Sequence, residues 1–282
     1  MDAEVRARVA LVSDLRAGLD AGQLFLVYQP QVDIATGRIV GLEALARWRH
    51  PRRGLVGPDE FIPVAEKSGL IVPLGRWVIR TACRQAKLWF DAGIAPAFVA
   101  VNVSGSQFRT PLELETTFAA VVAETGLPPA RLELELTESA LMDAWVEKRD
   151  VLLHLRESGV KIAIDDFGTG FSSLEYLSRF PVDRIKIPRC FMQDLGGGPG
   201  HAAVVKATIG LGRELGLGVV AKGVETREQL ELLKTWGCRE VQGYYFARPQ
   251  PAEELTELLR RGELHPMRPP APVAADGTVH PR

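Results

Sequence analysis

The sequence predicts an α/β fold: a closed (β/α)8 barrel of the TIM type, with an antiparallel hairpin formed by its first two strands. Two observations carry this. Short apolar runs alternate with longer amphipathic stretches along most of the chain, and parallel neighbours need a long crossover that a helix supplies. Counting the hairpin, eight strand-like runs fall within about 250 residues, the size of a (β/α)8 barrel more than of an open doubly wound sheet.

The elements follow in order. Val5, Val9, Val12, Leu15 and Leu19 recur at helical spacing up to Gly22, predicting an amphipathic helix over 1–22, expected to pack against the barrel bottom. The period then changes to that of a strand at 24–28; Thr36-Gly37-Arg38 reads as a turn, and 39–42 resumes the strand pattern. Later strands are predicted at 98–103, 132–136, 161–164, 184–187, 218–221 and 240–242, with helices between them. The barrel domain spans 23–262. Beyond it, Pro266-Met267-Arg268-Pro269-Pro270-Ala271-Pro272 is too proline-rich for regular structure, so 263–282 is expected to be a disordered tail. The run Gly196-Gly197-Gly198-Pro199-Gly200 lacks the Lys-Ser/Thr of a P-loop and reads as a surface loop.

Composition narrows the function classes. The 282 residues are 46% hydrophobic and 24% charged, as in an ordinary globular protein. With 34 Lys+Arg against 35 Asp+Glu, the formal charge of -1 offers no global field for a DNA or RNA duplex or an anionic membrane. Cys83, Cys190 and Cys238 form no CxxC pair, which argues against a disulfide framework or zinc cluster and for the cytoplasm. The charged N-terminus does not resemble a signal peptide, and no apolar run approaches the roughly 20 residues of a transmembrane segment.

The chemistry collects where strands end. Glu43 closes the second, Asn102 the third, Glu135 the fourth, Asp165 and Asp166 the fifth and Lys186 the sixth. In a barrel these ends converge on the face that carries active sites. Singly, Glu43 or Glu135 reads as a surface carboxylate, and Asp165-Asp166 as a turn or capping segment. Jointly they need neutralising cations, and an all-oxygen set suits Mg²⁺ or Mn²⁺. His154 falls in a helix and His50, His201, His265 and His280 in loops or tail, so none reads as a ligand. Adjacent aspartates suit a two-metal site for phosphodiester hydrolysis.

These residues resemble the EAL-domain family of cyclic di-GMP phosphodiesterases. The resemblance runs from about residue 10 to 262. It rests on Glu43-Ala44-Leu45 with Arg47-Trp48, Tyr28-Gln29-Pro30, Asn102-Val103-Ser104, Glu135-Leu136-Thr137-Glu138, the run from Asp165-Asp166-Phe167-Gly168-Thr169-Gly170 to Leu174, Lys186-Ile187 and Gln242-Gly243-Tyr244. It implies two divalent cations, Mg²⁺ or Mn²⁺. Glu43, Asn102, Glu135 and Asp165 would hold one, with Asp165 and Asp166 serving the other. It also implies hydrolysis of cyclic di-GMP to linear pGpG, with Lys186 orienting the attacking water or stabilising the transition state. Arg47 is implied to meet a substrate phosphate, and Gln29 and Gln242 to line the substrate side. The loop with Phe167, Gly168 and Thr169, braced by Glu138, is implied to couple the site to a homodimer contact. For Glu138 the alternative is a helix-capping carboxylate.

Two departures stand out. Where the family has Ala-Glu-Gly-Val-Glu-Thr, this chain has Ala221-Lys222-Gly223-Val224-Glu225-Thr226. Unit charges 4 Å apart interact by about 4 kcal/mol at an effective dielectric of 20, so an ammonium against a divalent ion faces roughly twice that. Lys222 must then swing away, lose its proton, or pair with Asp166 in place of the second ion, and Glu225 is the nearby carboxylate available to substitute. The second departure is Pro188-Arg189-Cys190 in place of Asp-Arg-Ser, which fixes the backbone and removes an amide donor beside Lys186. The expectation is an enzyme, impaired by Lys222. The alternative is a catalytically inactive cyclic di-GMP receptor acting through an unidentified protein partner. No GG(D/E)EF motif is present, so a stand-alone domain is expected.

Overall fold

The computed structural model describes residues 3–109, 111–142, 145–170, 177, 180–193, 195, 199–262 and 264. Of the tail expected over 263–282, Leu264 is described and is not disordered: it is buried, and its N–H donates to the Gly37 carbonyl at 2.7 Å. The rest of that tail, the glycines at 196–198 and the loop residues 171–173 lie outside the described residues. The chain opens with helix α1 (Ala3–Asp20) and continues through β1 (Leu24–Asp33), β2 (Ile39–His50), β3 (Gly54–Val56), α2 (Pro58–Ser68) and α3 (Ile71–Asp91). Next come β4 (Phe98–Asn102), α4 (Pro111–Thr125), β5 (Leu132–Thr137), α5 (Glu138–Met142), α6 (Trp145–Glu157) and β6 (Lys161–Asp165). The last part comprises β7 (Arg184–Ile187), α7 (Arg189–Gln193), α8 (Pro199–Glu214), β8 (Gly218–Lys222), α9 (Arg227–Thr235), β9 (Glu240–Gln242) and α10 (Ala252–Arg261).

The sheet order is β1-β9-β8-β7-β6-β5-β4-β2, and pairing of β1 with β2 closes it into the eight-stranded barrel. Pairs from β2–β4 round to β8–β9 are parallel, while β1 runs antiparallel to both β2 and β9. Strand β3, absent from the sequence-based count, extends the far end of β2 outside the barrel. Along β5, Leu132, Leu134 and Leu136 are fully buried between sheet and helices. Glu133 and Glu135 alternate with them and point inward, following the two-residue period of a strand. Gly41 leaves room for the ring of Phe98 at the barrel floor: a Cβ there would lie 2.3 Å from it.

Several expectations are corrected. The hairpin strands are longer than predicted, so Glu43 sits within β2, one residue before its parallel pairing with β4 ends at Ala44, and not at the strand's end. His50 is the last residue of β2, buried and bonded to Asp14 at 3.1 Å, and His201 lies in α8; neither is in a loop. Pro199 and Gly200 likewise begin α8. Helix α1 does not pack at the barrel bottom. Because β1 is antiparallel to β2, it starts at the end of the barrel where the parallel strands finish, and α1 is held there. Asp14 bonds His50, and a Cβ on Gly18 would lie 2.8 Å from Trp48 Nε1.

Candidate active site

The inward side chains form two polar tiers. The upper tier holds Gln29, Glu43, Glu135, Lys186 and Gln242, all buried. Lys186 Nζ lies 3.1 Å from Glu43 Oε2 and contacts Glu135 Oε1 more closely. Gln242 Nε2 donates to Glu43 Oε2 at 2.6 Å and Gln29 Oε1 at 3.0 Å, and Gln29 Nε2 donates to the Ala247 carbonyl at 3.1 Å. Asn102, exposed at the tip of β4, donates to Glu43 Oε1 at 2.9 Å. The sequence-predicted residues on six different strands thus meet around one axis.

Asp165 ends β6, and Asp166 follows in the left-handed region at φ 52°, a conformation that Asp tolerates better than most residues. This turn sends the two carboxylates toward Lys222 at the end of β8. Lys222 Nζ contacts Asp165 Oδ1 and lies 2.9 Å from Asp166 Oδ1. Of the three outcomes open from the sequence, the ion pair with Asp166 is the one present, extended to Asp165. Glu225 does not join the cluster. Its carboxylate is paired with Arg189 at 2.7 Å on the surface.

The electrostatics follow from burial and sharing. Burial alone lowers the pKa of Lys186, but Glu135 and Glu43 outweigh this and raise it. Lys222 behaves likewise: burial opposes its charge, while Asp165 overcomes burial and the nearby Lys186. Burial pushes the Glu43 carboxyl up, yet Lys186, Lys222 and the amides of Gln242 and Asn102 hold it below the usual carboxylate range. Glu135 goes the other way: burial and the neighbouring Glu43 raise it, beyond what its share of Lys186 offsets.

Among the described residues, no three His, Cys, Asp or Glu side chains converge as a ready-made cation cage, because the carboxylates close on the two ammonium groups. In the upper tier two buried acceptors nevertheless lack hydrogen-bond partners, Glu135 Oε2 and Gln242 Oε1, as do both Glu133 oxygens below. A buried carboxylate oxygen with no donor costs free energy unless a cation or water meets it. Glu43, Asn102, Glu135 and Asp165 therefore fit one hard, oxygen-loving ion. The Asp165–Asp166 side does not fit a second while Lys222 stands there.

The rim carries further predicted residues. Arg47 is half-buried and donates to the Ala46 carbonyl at 2.8 Å; burial lowers its pKa, against the opposing charges of Tyr244 and Glu43. Arg248 stacks on Tyr244 at 4.3 Å and Arg189 flanks the same ring at 5.8 Å. Gly168 N donates to Glu138 Oε2 at 2.9 Å, Thr169 Oγ1 donates to the Asp166 carbonyl at 2.8 Å, and Phe167 is buried. Pro188 precedes α7, its carbonyl accepting from Phe191 N at 3.2 Å.

Sequence reasoning missed the lower tier. Gln31 Nε2 reaches Glu135 Oε1 at 3.5 Å, and its Oε1 accepts from Arg184 at 3.4 Å. Arg184 also lies 3.3 Å from Glu133, contacts Glu240 and covers Phe98 at 4.7 Å. The signal was present: Gln29 and Gln31, Glu133 and Glu135, Arg184 and Lys186, and Glu240 and Gln242 are each two residues apart, the spacing that puts both on one strand face.

A closed eight-stranded barrel, parallel except at β1, that gathers carboxylates, amides and lysines inside one end defines a (β/α)8 protein with its candidate site at the face where the parallel strands finish. The chain belongs to the EAL domain family, which it matches over residues 12–249. It is 45% identical over 255 residues to the bifunctional diguanylate cyclase/cyclic di-GMP phosphodiesterase MucR of Pseudomonas aeruginosa, covering 90% of this chain and 37% of that protein. It is 45% identical over 261 residues to the cyclic di-GMP phosphodiesterase PA2567 of the same species, covering 92% and 44%. The chain thus spans less than half the length of these relatives. Among solved structures, the PaMucR phosphodiesterase in complex with c-di-GMP superimposes with a TM-score of 0.84 at 46% identity, covering 87% of this chain and 99% of that one. The EAL enzyme Bd1971, in its cAMP- and cyclic-di-GMP-bound form, gives 0.86 at 31% identity, covering 91% and 70%.

Proposed function

We propose that this chain binds cyclic di-GMP across the barrel mouth and hydrolyses one of its phosphodiesters to linear pGpG, with turnover attenuated by Lys222. The observation that carries the reading is the convergence of Glu43, Asn102, Glu135, Asp165 and Lys186 at one end of the barrel axis, with the unpartnered Glu135 Oε2 among them. Glu43, Asn102, Glu135 and Asp165 would hold a Mg²⁺ or Mn²⁺ ion, which when bound supplies Lewis-acid charge for the phosphoryl oxygens.

The chain's own residues supply the rest. Lys186, fully buried, fixes Glu43 and Glu135 and places a permanent positive charge beneath the reacting phosphate. Gln242 and Gln29 form a linked amide pair that orients Glu43 and borders the nucleotide. Arg47, Arg189 and Arg248 give the rim the cationic groups that an anionic dinucleotide requires, with Tyr244 as a stacking surface. Water adds to phosphorus, the P–O bond to the ribose 3′-oxygen breaks, and the proton released goes to that oxygen. The segment around Phe167, Gly168 and Thr169, tied to Glu138, is the proposed route to a homodimer contact. No described helix is long and apolar enough to cross a membrane, and action in the cytoplasm is part of the proposal.

The test incubates the chain with cyclic di-GMP and Mg²⁺ or Mn²⁺ and resolves pGpG by chromatography. Product that disappears in Glu43→Ala supports the reading; unchanged turnover in Glu43→Ala refutes it. A second reading, a non-hydrolysing receptor acting on a protein partner, is favoured by the Lys222–Asp166 pair. Binding of the dinucleotide that persists in EDTA, with no product, selects it.

A further inference from the structure

The geometry points to Lys222 as a built-in cation that takes the place of one divalent ion, so that this chain loads one metal ion, where a glutamate at position 222 would call for two. The inference rests on the proposed function insofar as the same site is meant to bind the dinucleotide.

Position supports it. Lys222 comes off the end of β8, and its Nζ lies between the two adjacent aspartates, touching Asp165 Oδ1 and 2.9 Å from Asp166 Oδ1. The pocket for it is fixed by backbone. Asp166 is held in the left-handed region, and its N–H donates to Asp165 Oδ1 at 2.9 Å. The ammonium is mostly enclosed, at 17% side-chain exposure, so it is not a surface lysine that happens to lean inward. A cation that bridged these two carboxylates would have to displace it.

Charge balance gives the number. With a cation present to hold all four carboxylates ionised, Glu43, Glu135, Asp165 and Asp166 against Lys186 and Lys222 leave two negative charges, those of one divalent ion. Glutamate at position 222 would make five carboxylates against one ammonium, leaving four negative charges, those of two such ions. Buried clusters that stay uncompensated are expensive, so the balanced count is the stable one. The place left for the single ion is on the Glu43, Asn102, Glu135 and Asp165 side. There Glu135, 1% exposed, keeps one buried carboxylate oxygen without a hydrogen-bond partner.

The experiment strips metal from the purified chain and titrates Mn²⁺, alone and with cyclic di-GMP present, counting bound ions by electron paramagnetic resonance and calorimetry. The expected result is one Mn²⁺ per chain, with no spin coupling between ions. Lys222→Glu should bind two, with the broadened spectrum of a coupled pair. Lys222→Gln, which removes the charge without adding a carboxylate, should take up a second ion at least tenfold more weakly than the first, and it serves if the glutamate variant does not fold. Two ions on the unaltered chain, none at all, or no second ion in either variant would overturn the inference. Nucleotide binding in the same samples is read separately by calorimetry. Its absence rejects the proposed function and leaves the ion count standing.

Discussion

Replacing Arg184 by Met removes the cation from the lower tier of the barrel and leaves Glu133 fully buried with no counter-charge in bonding distance. The guanidinium Nε lies 3.3 Å from Glu133 Oε2, which at an effective dielectric of 20 corresponds to about 5 kcal/mol of attraction. Arg184 also contacts Glu240, accepts the stacking face of Phe98 at 4.7 Å and donates to Gln31. Glu240 is partly exposed and recovers hydration, whereas Glu133 does not. Truncating one partner of a buried pair costs about 3–5 kcal/mol. Burial already raises the Glu133 pKa against the pull of Arg184, so proton uptake by the stranded carboxyl places this site toward the lower end of that range. Urea unfolding at neutral pH, followed by circular dichroism, measures the loss from the midpoint and slope. The companion variant Glu133→Leu with Arg184→Met removes both charges, and it should regain most of the loss, because the stranded carboxylate and not the missing contact is what costs. A loss below about 1 kcal/mol in Arg184→Met, or a double variant as unstable as the two single changes summed, would refute the reasoning.

Three further outcomes are expected. Burial pushes the thiols of Cys83 and Cys238 up to about 12, while Cys190 is exposed, so a thiol reagent at pH 8 should label Cys190 fast and the other two only on unfolding. Mass spectrometry of the labelled native chain checks this. Thr226 caps α9 through a reciprocal box with Gln229, so Thr226→Ala should cost about 1 kcal/mol in thermal or urea unfolding. A Cβ on Gly243 would lie 2.0 Å from the Val224 carbonyl oxygen, so Gly243→Ala should displace the segment that places Gln242. Dinucleotide binding should weaken at least tenfold while far-UV dichroism stays near that of the parent chain.

Much of the site was legible because barrel geometry converts sequence order into convergence. Once Asn102, Glu135, Asp165 and Lys186 are placed on consecutive parallel strands, their meeting at one end follows from topology, although only Asn102 and Asp165 end theirs: Glu135 stands two residues and Lys186 one residue before the end of its strand. The two long hairpin strands were less legible. Pro30 and the polar Gln29 and Gln31 interrupt the apolar pattern in β1, and only inside a barrel lined with polar groups are such residues buried. The placement of α1 was misread for a related reason: helix periodicity gives a face but not a neighbour, and the antiparallel sense of β1 chooses the neighbour.

The sequence by itself determined the alternation of strands and helices, the residue types at the strand ends and the substitution at Lys222, because period, spacing and identity are local properties of a chain. Tertiary structure alone decided where the charges went. Whether Lys222 turned away, lost its proton or paired depended on the distance from the end of β8 to the turn after β6, two places 56 residues apart. The same holds for Glu225, drawn to Arg189 at 36 residues' separation, and for Arg184, which sets a second ionic tier beneath the first. Electrostatic energy depends on separation in space and on exclusion of water, and neither exists until the barrel closes.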